Sequence, residues 1–289
     1  DLLIHSPVFH RALEYGNGTK YDFTPMLRYV RPIVAKADLS VCHVETPMAD
    51  KEPSGYPLFN SPPSLASAIL STGWNACDTA SNHTLDQGQP GVDQTIANLD
   101  RVGVAHTGSW SSAAARATPL IINVRGVRIA WLAYTEMTNG IPLPNPWSVG
   151  LASAPQVLAD AARAKRLGAD AVIVNVHGGE EYQHDPSAFQ TALATQLTAS
   201  PLITAVVGQH VHVVQPIRWI NGKPVVYGEG NLLSNQTSTC CPAASQDGYM
   251  ALLHMHFEAG KARVGSVNYV PVWVRHPDFT VLPVRRALR

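Results

Sequence analysis

One rhythm recurs along the chain: an apolar strand, a polar cluster, then an amphipathic helix. In "GWNACDTASNHTLDQGQPGVDQTIANLDRVGVAHTG", residues 74–80 suit a buried strand. Pro90 then opens a helix with Val92, Ile96, Leu99 and Val102 at helical spacing. Gly103 ends it, and "VAHTG" resumes an extended run. In "APQVLADAARAKRLGADAVIVNVHGG", a helix over 155–167 stops at Gly168. Ala171 to Val176 then form a near-continuous apolar strand, the pattern of burial on both faces. Pro186 starts a further helix with Phe189, Leu193 and Leu197 on one face, and "LITAVVG" is the next strand. An earlier helix is expected over 62–72, with Ser61 as its cap and Pro62 at its first position.

The last forty residues break this rhythm. "YMALLHMHFEAGKARVGSVNYVPVWV" reads as two extended segments around Ala259-Gly260-Lys261, a hairpin. The expected fold is therefore a layered α/β sandwich with mixed sheets, parallel units first and antiparallel strands at the C-terminal end. The rhythm continues past the Pro-rich stretch 141–155, so residues 1–289 are expected to form one domain. Loops as long as 46–63 and 141–155 commonly line sites.

Bulk numbers exclude several classes. Hydrophobic residues make up 45% and charged residues 15%, which argues against disorder. Basic and acidic residues balance at 21 each, so the charge carries no footprint for nucleic acid or an anionic membrane. No apolar run of about 18 residues is present, and no signal peptide is visible. The four cysteines lack C-x-x-C spacing, which argues against structural zinc. Cys42 and Cys77 each fall in an expected strand. They read as buried thiols, or as a bridge if those strands are neighbours in an oxidising compartment. Cys240 and Cys241 are vicinal in a polar loop, where a disulfide role is open.

In open α/β sheets, ligands bind at the carboxyl ends of strands. Glu45 follows the 38–44 strand, Asn82 and His83 follow 74–80, and His177 follows 171–176. His210 and His212 follow 203–207, while Asp1 and His5 bracket the apolar start. Strand alternation would put His210 and His212 on one face, with Val211 turned away and Gly208 allowing a tight exit. Carboxylate, amide and imidazole donors suit Zn, Mn, Fe or Ni better than Ca or a thiolate-loving metal. A shared carboxylate can bridge two metals about 3.5–4 Å apart, a geometry that clamps both oxygens of a displacement. Taken singly, each residue has an ordinary reading: a hydrogen-bonded histidine, an Asn in a turn, a solvated Glu. Their joint placement after successive strands points to a site.

These stretches resemble a known family. "DLLIHSPVF" is similar to its opening Gly-Asp motif without the glycine. "YDFTPMLRYVRPIVAKADLSVCHVETPM" resembles the segment ending in Asn-Leu-Glu-x-Pro, with His43 and Val44 at the Asn and Leu places. "ASNHTLDQGQPGVDQTIANLDRVGVAHTG" resembles the Asn-His motif and its helix, and "AYTEMTNG" and "VHGGEEYQHDPSAFQ" resemble two further blocks. "VVGQHVHVVQPIRWINGKPVVYGEGNLL" resembles a Gly-His-His-Pro-His block, with Gln209 and Val211 replacing its first histidine and its proline. The family is that of CapA-type bacterial capsule-synthesis proteins, linked to poly-γ-glutamate biosynthesis and related to the calcineurin-like metallophosphoesterases.

That resemblance implies a metallophosphoesterase-type α/β/β/α sandwich and two divalent transition metals, Mn, Fe or Zn. Asp1 and His212 would hold one metal, joined by His5, which stands four residues after Asp1 where the wider superfamily places its histidine two after. Asn82, His177 and His210 would hold the other, with Glu45 in the place of a bridging Asp. His83 matches the histidine that hands a proton or hydrogen bond to the substrate. Glu136, Asn139, Glu181, Tyr182, Glu229 and Asn231 lie in family-like blocks as substrate or supporting contacts, or as solvated loop residues. Arg28, Arg31 and Arg218 are available for anionic groups. The implied activity is phosphoesterase-type hydrolysis in capsule or poly-γ-glutamate biosynthesis. Two alternatives stand beside it: a non-catalytic accessory protein that binds an anionic envelope polymer, and a metal-dependent amide hydrolase of that polymer. Implied partners are the polymer or a phosphate ester and other synthesis proteins, not nucleic acid. The implied location is extracytoplasmic and envelope-associated, with an export or anchor segment ahead of Asp1.

Overall fold

The computed structural model describes residues 1–258 and 261–284. An extended start leads into helix α1 (Ser6–Tyr15) and two short turns of helix, α2 (Thr24–Leu27) and α3 (Arg31–Val34). Strands β1 (Val41–His43), β2 (Ala76–Asp78) and β3 (Ala105–Thr107) then alternate with α4 (Ser64–Thr72) and α5 (Gly88–Val102). After α6 (Ala113–Ala117) come β4 (Leu120–Val124), β5 (Val127–Thr135), α7 (Ala154–Arg166), β6 (Ala171–His177), α8 (Ala188–Ala199) and β7 (Ala205–Gln209). The hairpin β8 (Ile217–Ile220) and β9 (Lys223–Val226) precedes β10 (Asp247–Glu258), β11 (Lys261–Arg275) and β12 (Thr280–Pro283).

Three sheets result. Strands β1, β2 and β3 pair in parallel in that order. A six-stranded sheet runs β4-β5-β6-β7-β9-β8, with β5, β6, β7 and β9 parallel and the two edge strands antiparallel. Strands β10, β11 and β12 form the antiparallel C-terminal sheet. All seven residues of β6 are buried, as its continuous apolar run predicts. Val172, Val174 and Val176 face the helix side, packing with Val157, Ala161 and Ala164 of α7 and Leu193 and Leu197 of α8. Ala171 and Ile173 point the other way, into a core shared with Tyr249 and Val264. Full burial of one such aliphatic side chain is worth roughly 1.5–3 kcal/mol. On the far side, Cys42, Val44 and Cys77 pack under Val8 and Phe9 of α1, Leu65 and Ile69 of α4, and Val272, Val274 and Val281. The layers are thus helix, sheet, sheet, helix, as expected.

Local details sharpen or correct the sequence reading. Gly103 ends α5 in the left-handed conformation, where a side chain would be strained. Helix α4 begins two residues later than expected, and Ser61 does not cap it; its hydroxyl pairs with that of Thr46 at 2.6 Å. Helix α8 is capped by Ser187, in a reciprocal box with Gln190, rather than started by Pro186. The C-terminal hairpin forms, pairing Glu258 with Lys261, while Ala259 and Gly260 lie outside the described residues. Cys42 and Cys77 stand opposite each other in neighbouring strands and are disulfide-bonded. Among the described residues, no helix is long and apolar enough to cross a membrane.

Candidate metal centre

The strand ends of the first sheet and of the six-stranded sheet meet in one place. Leu2 bridges in parallel to both Val44 and Leu233, so the extended start is stitched between two segments. The backbone nitrogen of Asp1 donates to Gly230 at 2.9 Å, and its carbonyl accepts from Leu232 and Leu233. Asp1 is thereby fixed with its carboxylate inside. Glu45 follows β1, and its carbonyl accepts from Ser81 Oγ at 2.6 Å. Both acidic side chains are fully buried.

His177 closes β6. Its Nδ1 lies 3.7 Å from Asp1 Oδ1, and its Nε2 lies 3.8 Å from Glu45 Oε1. Asn82 Oδ1 is 2.8 Å from that Nε2, with its Nδ2 turned to Asn139. His210 Nδ1 is 3.1 Å from the same atom. His212 Nδ1 lies 3.3 Å from Asp1 Oδ2, and its Nε2 lies 3.8 Å from Glu45 Oε1. The Oδ1 of Asn231 accepts from His212 Nδ1 at 3.1 Å. Asn231 cannot flip, because its Nδ2 donates to Gln236 and to the carbonyl of Ser245. The His212 proton therefore sits on Nδ1, and its Nε2 lone pair faces Glu45.

The two histidines that follow β7 do not continue the strand, contrary to the alternation expected. Both are left-handed, at φ +94° for His210 and +57° for His212. A bulky side chain there costs on the order of 1–3 kcal/mol, sustained by the surroundings. Val211 between them is fully buried and supplies the anchor. Its methyls occupy the space that a Cβ on Gly179 or Gly228 would need. Gly208 is not a turn residue either: it lies within β7, and a Cβ there would stand 2.2 Å from the Tyr227 carbonyl.

Burial sets the electrostatics. It lowers His177 well below the ordinary histidine range, and neighbouring imidazoles push the same way. It lowers His210 to about 3 and His5 to about 4. These rings are neutral near pH 7. The decisive feature is what lacks a partner. Both carboxylate oxygens of Asp1, both of Glu45, His43 Nε2 and His177 Nδ1 are buried without a hydrogen-bond partner among the described residues. Two groups of ligand atoms each converge within 4.8 Å: Asp1, His43 and His177, and Asp1, Glu45 and His212.

The remaining expected residues have distinct places. His5 sits half-buried beside the cluster rather than in either group, with Nδ1 near Leu3 O and Asn235 N and its ring edge-on to Phe59. His83 Nδ1 pairs with Asp86 at 2.7 Å, and its ring also meets Phe59. Glu136 accepts from Gly179 N at 2.8 Å, bracing the loop after His177, and burial raises its carboxyl. Tyr182 accepts from Gln236 Nε2, and its ring centre lies 6.1 Å from that of His212. Glu229 accepts from Ala251 N and Gln209 Nε2, and burial raises it too. Glu181, Arg28, Arg31 and Arg218 are exposed. Sequence reasoning did not single out His43, whose ring joins one of these groups, or Asp78, which pairs with it. The signal available was an acid inside a strand buried at every position.

A family model described as bacterial capsule synthesis protein PGA_cap matches residues 1–236. The chain is 28% identical over 275 residues to the PGA biosynthesis protein CapA of Bacillus subtilis (strain 168), covering 90% of this chain and 67% of that one. It is also 28% identical over 230 residues to the capsule biosynthesis protein CapA of Bacillus anthracis, covering 76% and 55%. The chain thus spans between about half and two thirds of these relatives' lengths. Among solved structures, it is similar to the calcineurin-like phosphoesterase YfkN from Bacillus subtilis, with a TM-score of 0.50 and 18% identity, covering 73% of this chain and 67% of that one. That likeness is one of fold.

Proposed function

This chain belongs to the bacterial capsule synthesis protein PGA_cap family, and on that premise we propose that it is a metal-dependent, phosphoesterase-type hydrolase serving capsule or poly-γ-glutamate biosynthesis at the cell envelope. One observation carries the proposal. Two buried carboxylates face each other and a set of imidazoles, with no donor to their oxygens among the described residues. Such uncompensated charge costs several kcal/mol per ion unless a cation lies between the groups. Oxygen and imidazole donors in that mixture fit divalent transition metals.

Asp1, Glu45 and His212 would hold one ion. Glu45, His177, Asn82 and His210 would hold a second, since Glu45 Oε1 is 3.8 Å from both His177 and His212. When bound, such ions supply Lewis acidity and water activation. The protein's own part is orientation and proton handling. Asn231 fixes the His212 ring, and Asn139 fixes the amide of Asn82. Asp86 holds His83 Nδ1, leaving His83 Nε2 as the atom that can pass a proton to a leaving group.

A second reading is an accessory protein that binds an anionic polymer without turnover. It is supported by the relatives' names, which describe polymer production and not a reaction. Amide hydrolysis of the polymer by the same centre is a third.

Purified, unchelated protein should carry about two transition-metal ions per chain. His177→Ala and His210→Ala should lose metal and hydrolysis of phosphodiester substrates. Metal content near zero, with both variants behaving as wild type, would end this reading. Retained metal with tight poly-γ-glutamate binding and no turnover would favour the accessory role.

A further inference from the structure

We infer that His43 is a ligand of this centre and that Asp78 is the positioning residue that makes it one. The inference rests on the metal-centre reading and deepens it. His43 ends β1, directly opposite Asp78 in β2. Asp78 is 1% exposed and lies in a strand buried at every position.

Three donors from three strands converge on Asp78. His43 Nδ1 meets its Oδ1 in close contact. Asn175 Nδ2 of β6 donates to the same oxygen at 2.9 Å, and Trp131 Nε1 of β5 donates to Oδ2 at 3.1 Å. A carboxylate receiving an indole N–H and an amide N–H on its two oxygens is an acceptor, so His43 carries its proton on Nδ1. Nε2 then bears the lone pair.

That lone pair meets no donor among the described residues. Nε2 is buried, has no hydrogen-bond partner, and stands 3.6 Å from Asp1 Oδ1, which also has none. An acceptor facing an acceptor in a buried site is repulsive, and a cation between them turns both contacts favourable. The ring cannot swing away. It is stacked on His177, with centres 4.8 Å apart and planes 25° from parallel. His177 Nδ1 addresses the same Asp1 oxygen from 3.7 Å. A carboxylate holding one nitrogen of an imidazole whose other nitrogen faces a cation is the arrangement that fixes the tautomer and raises donor strength. Trp131 and Asn175 extend this support into the six-stranded sheet, so the two facing sheets jointly set the position of His43.

The test uses the full chain, stripped with chelator and reloaded with Co(II) alone. Equivalents bound and their affinities are read by calorimetry and elemental analysis, and coordination by visible absorption. Asp78→Asn should weaken one of the bound equivalents by roughly 10–100-fold. His43→Ala should weaken the same equivalent at least as much and change the cobalt spectrum, with the other equivalent retained. Wild-type affinity and spectrum in both folded variants would overturn the inference while leaving the centre itself standing. Absence of any cobalt binding by the wild-type chain would instead overturn the metal-centre reading and this inference with it. If the variants do not fold, proton NMR of the Co(II)-loaded wild type decides. The His43 Nδ1–H, identified by its proximity to the Trp131 indole N–H, should appear among the hyperfine-shifted exchangeable resonances. Its presence at an ordinary chemical shift would overturn the assignment.

Discussion

Glu45 Oε1 lies 3.8 Å from His212 Nε2, and neither carboxylate oxygen of Glu45 has a hydrogen-bond donor. The pair is too far apart for a hydrogen bond and too deeply buried for water to screen. Stability and metal affinity are therefore expected to pull in opposite directions at Glu45. Glu45→Gln should make the chelated protein more stable by about 1–3 kcal/mol, the order of the penalty for an unsatisfied buried polar group. The same change should weaken metal binding by at least roughly tenfold. Urea unfolding with and without chelator checks both signs; parallel losses in the two states would contradict the prediction.

Metal should act as a folding ligand. A cation held by the native centre alone raises unfolding stability by about 2.7 kcal/mol at one hundred times its dissociation constant. Thermal unfolding should shift upward on Mn(II), Zn(II) or Co(II) addition and return with chelator. An unchanged melting temperature across that titration would count against the centre.

Gly208→Ala should cost about 1–3 kcal/mol, the range for overpacking a fitted interior. The added methyl would stand 2.2 Å from the Tyr227 carbonyl, so β7 and β9 must separate. His210 and His212 follow at once, and metal affinity should fall with stability. Calorimetric unfolding and a metal titration on the same sample test the link.

Reducing the Cys42–Cys77 bridge should destabilise the protein by about 4 kcal/mol on loop-entropy grounds, since the residues are 35 apart. The bridge sits one position before the His43–Asp78 pair in both strands. Denaturant midpoints with and without a phosphine reductant measure the effect, and Cys42→Ala/Cys77→Ala separates it from any change at Cys240 and Cys241.

Acid stability has a contributor far from the centre. The Arg275 guanidinium beside Asp278 holds that carboxyl down at about 2. A depressed native pKa stabilises above the unfolded value, near 4 for Asp, and the gain is lost as pH falls from there through about 2. Asp278→Asn should flatten the stability change across that window and leave it unaltered between pH 5 and 7. Unfolding midpoints at pH 5 and pH 2.5 read the difference.

Much of this was legible in the sequence because periodicity and strand ends are local properties. The run Ala171–Val176 announced a strand buried on both faces, and His177 beyond it announced a polar end. What stayed hidden depended on contacts between distant segments. His43 and Asp78 are unremarkable apart; only the pairing of β1 with β2 sets one against the other. The left-handed backbone at His210 and His212 was equally unreadable, since it is imposed by the burial of Val211 between Gly179 and Gly228. Ser61 does not cap α4 because its hydroxyl pairs with Thr46, at the other end of the same long connection.

The stitching of Leu2 to both Val44 and Leu233 has a consequence for biogenesis. The backbone of Asp1 is fixed only when residues 230–233 arrive, and Asn231 must be present before His212 is oriented. A partly folded chain holds these donors apart and would have no chelate to offer. The donor set of the proposed centre is thus complete only after the last of these segments has docked. In the proposed centre a cation would join a chain that is already folded, and the ions present at that moment would set which metal it holds.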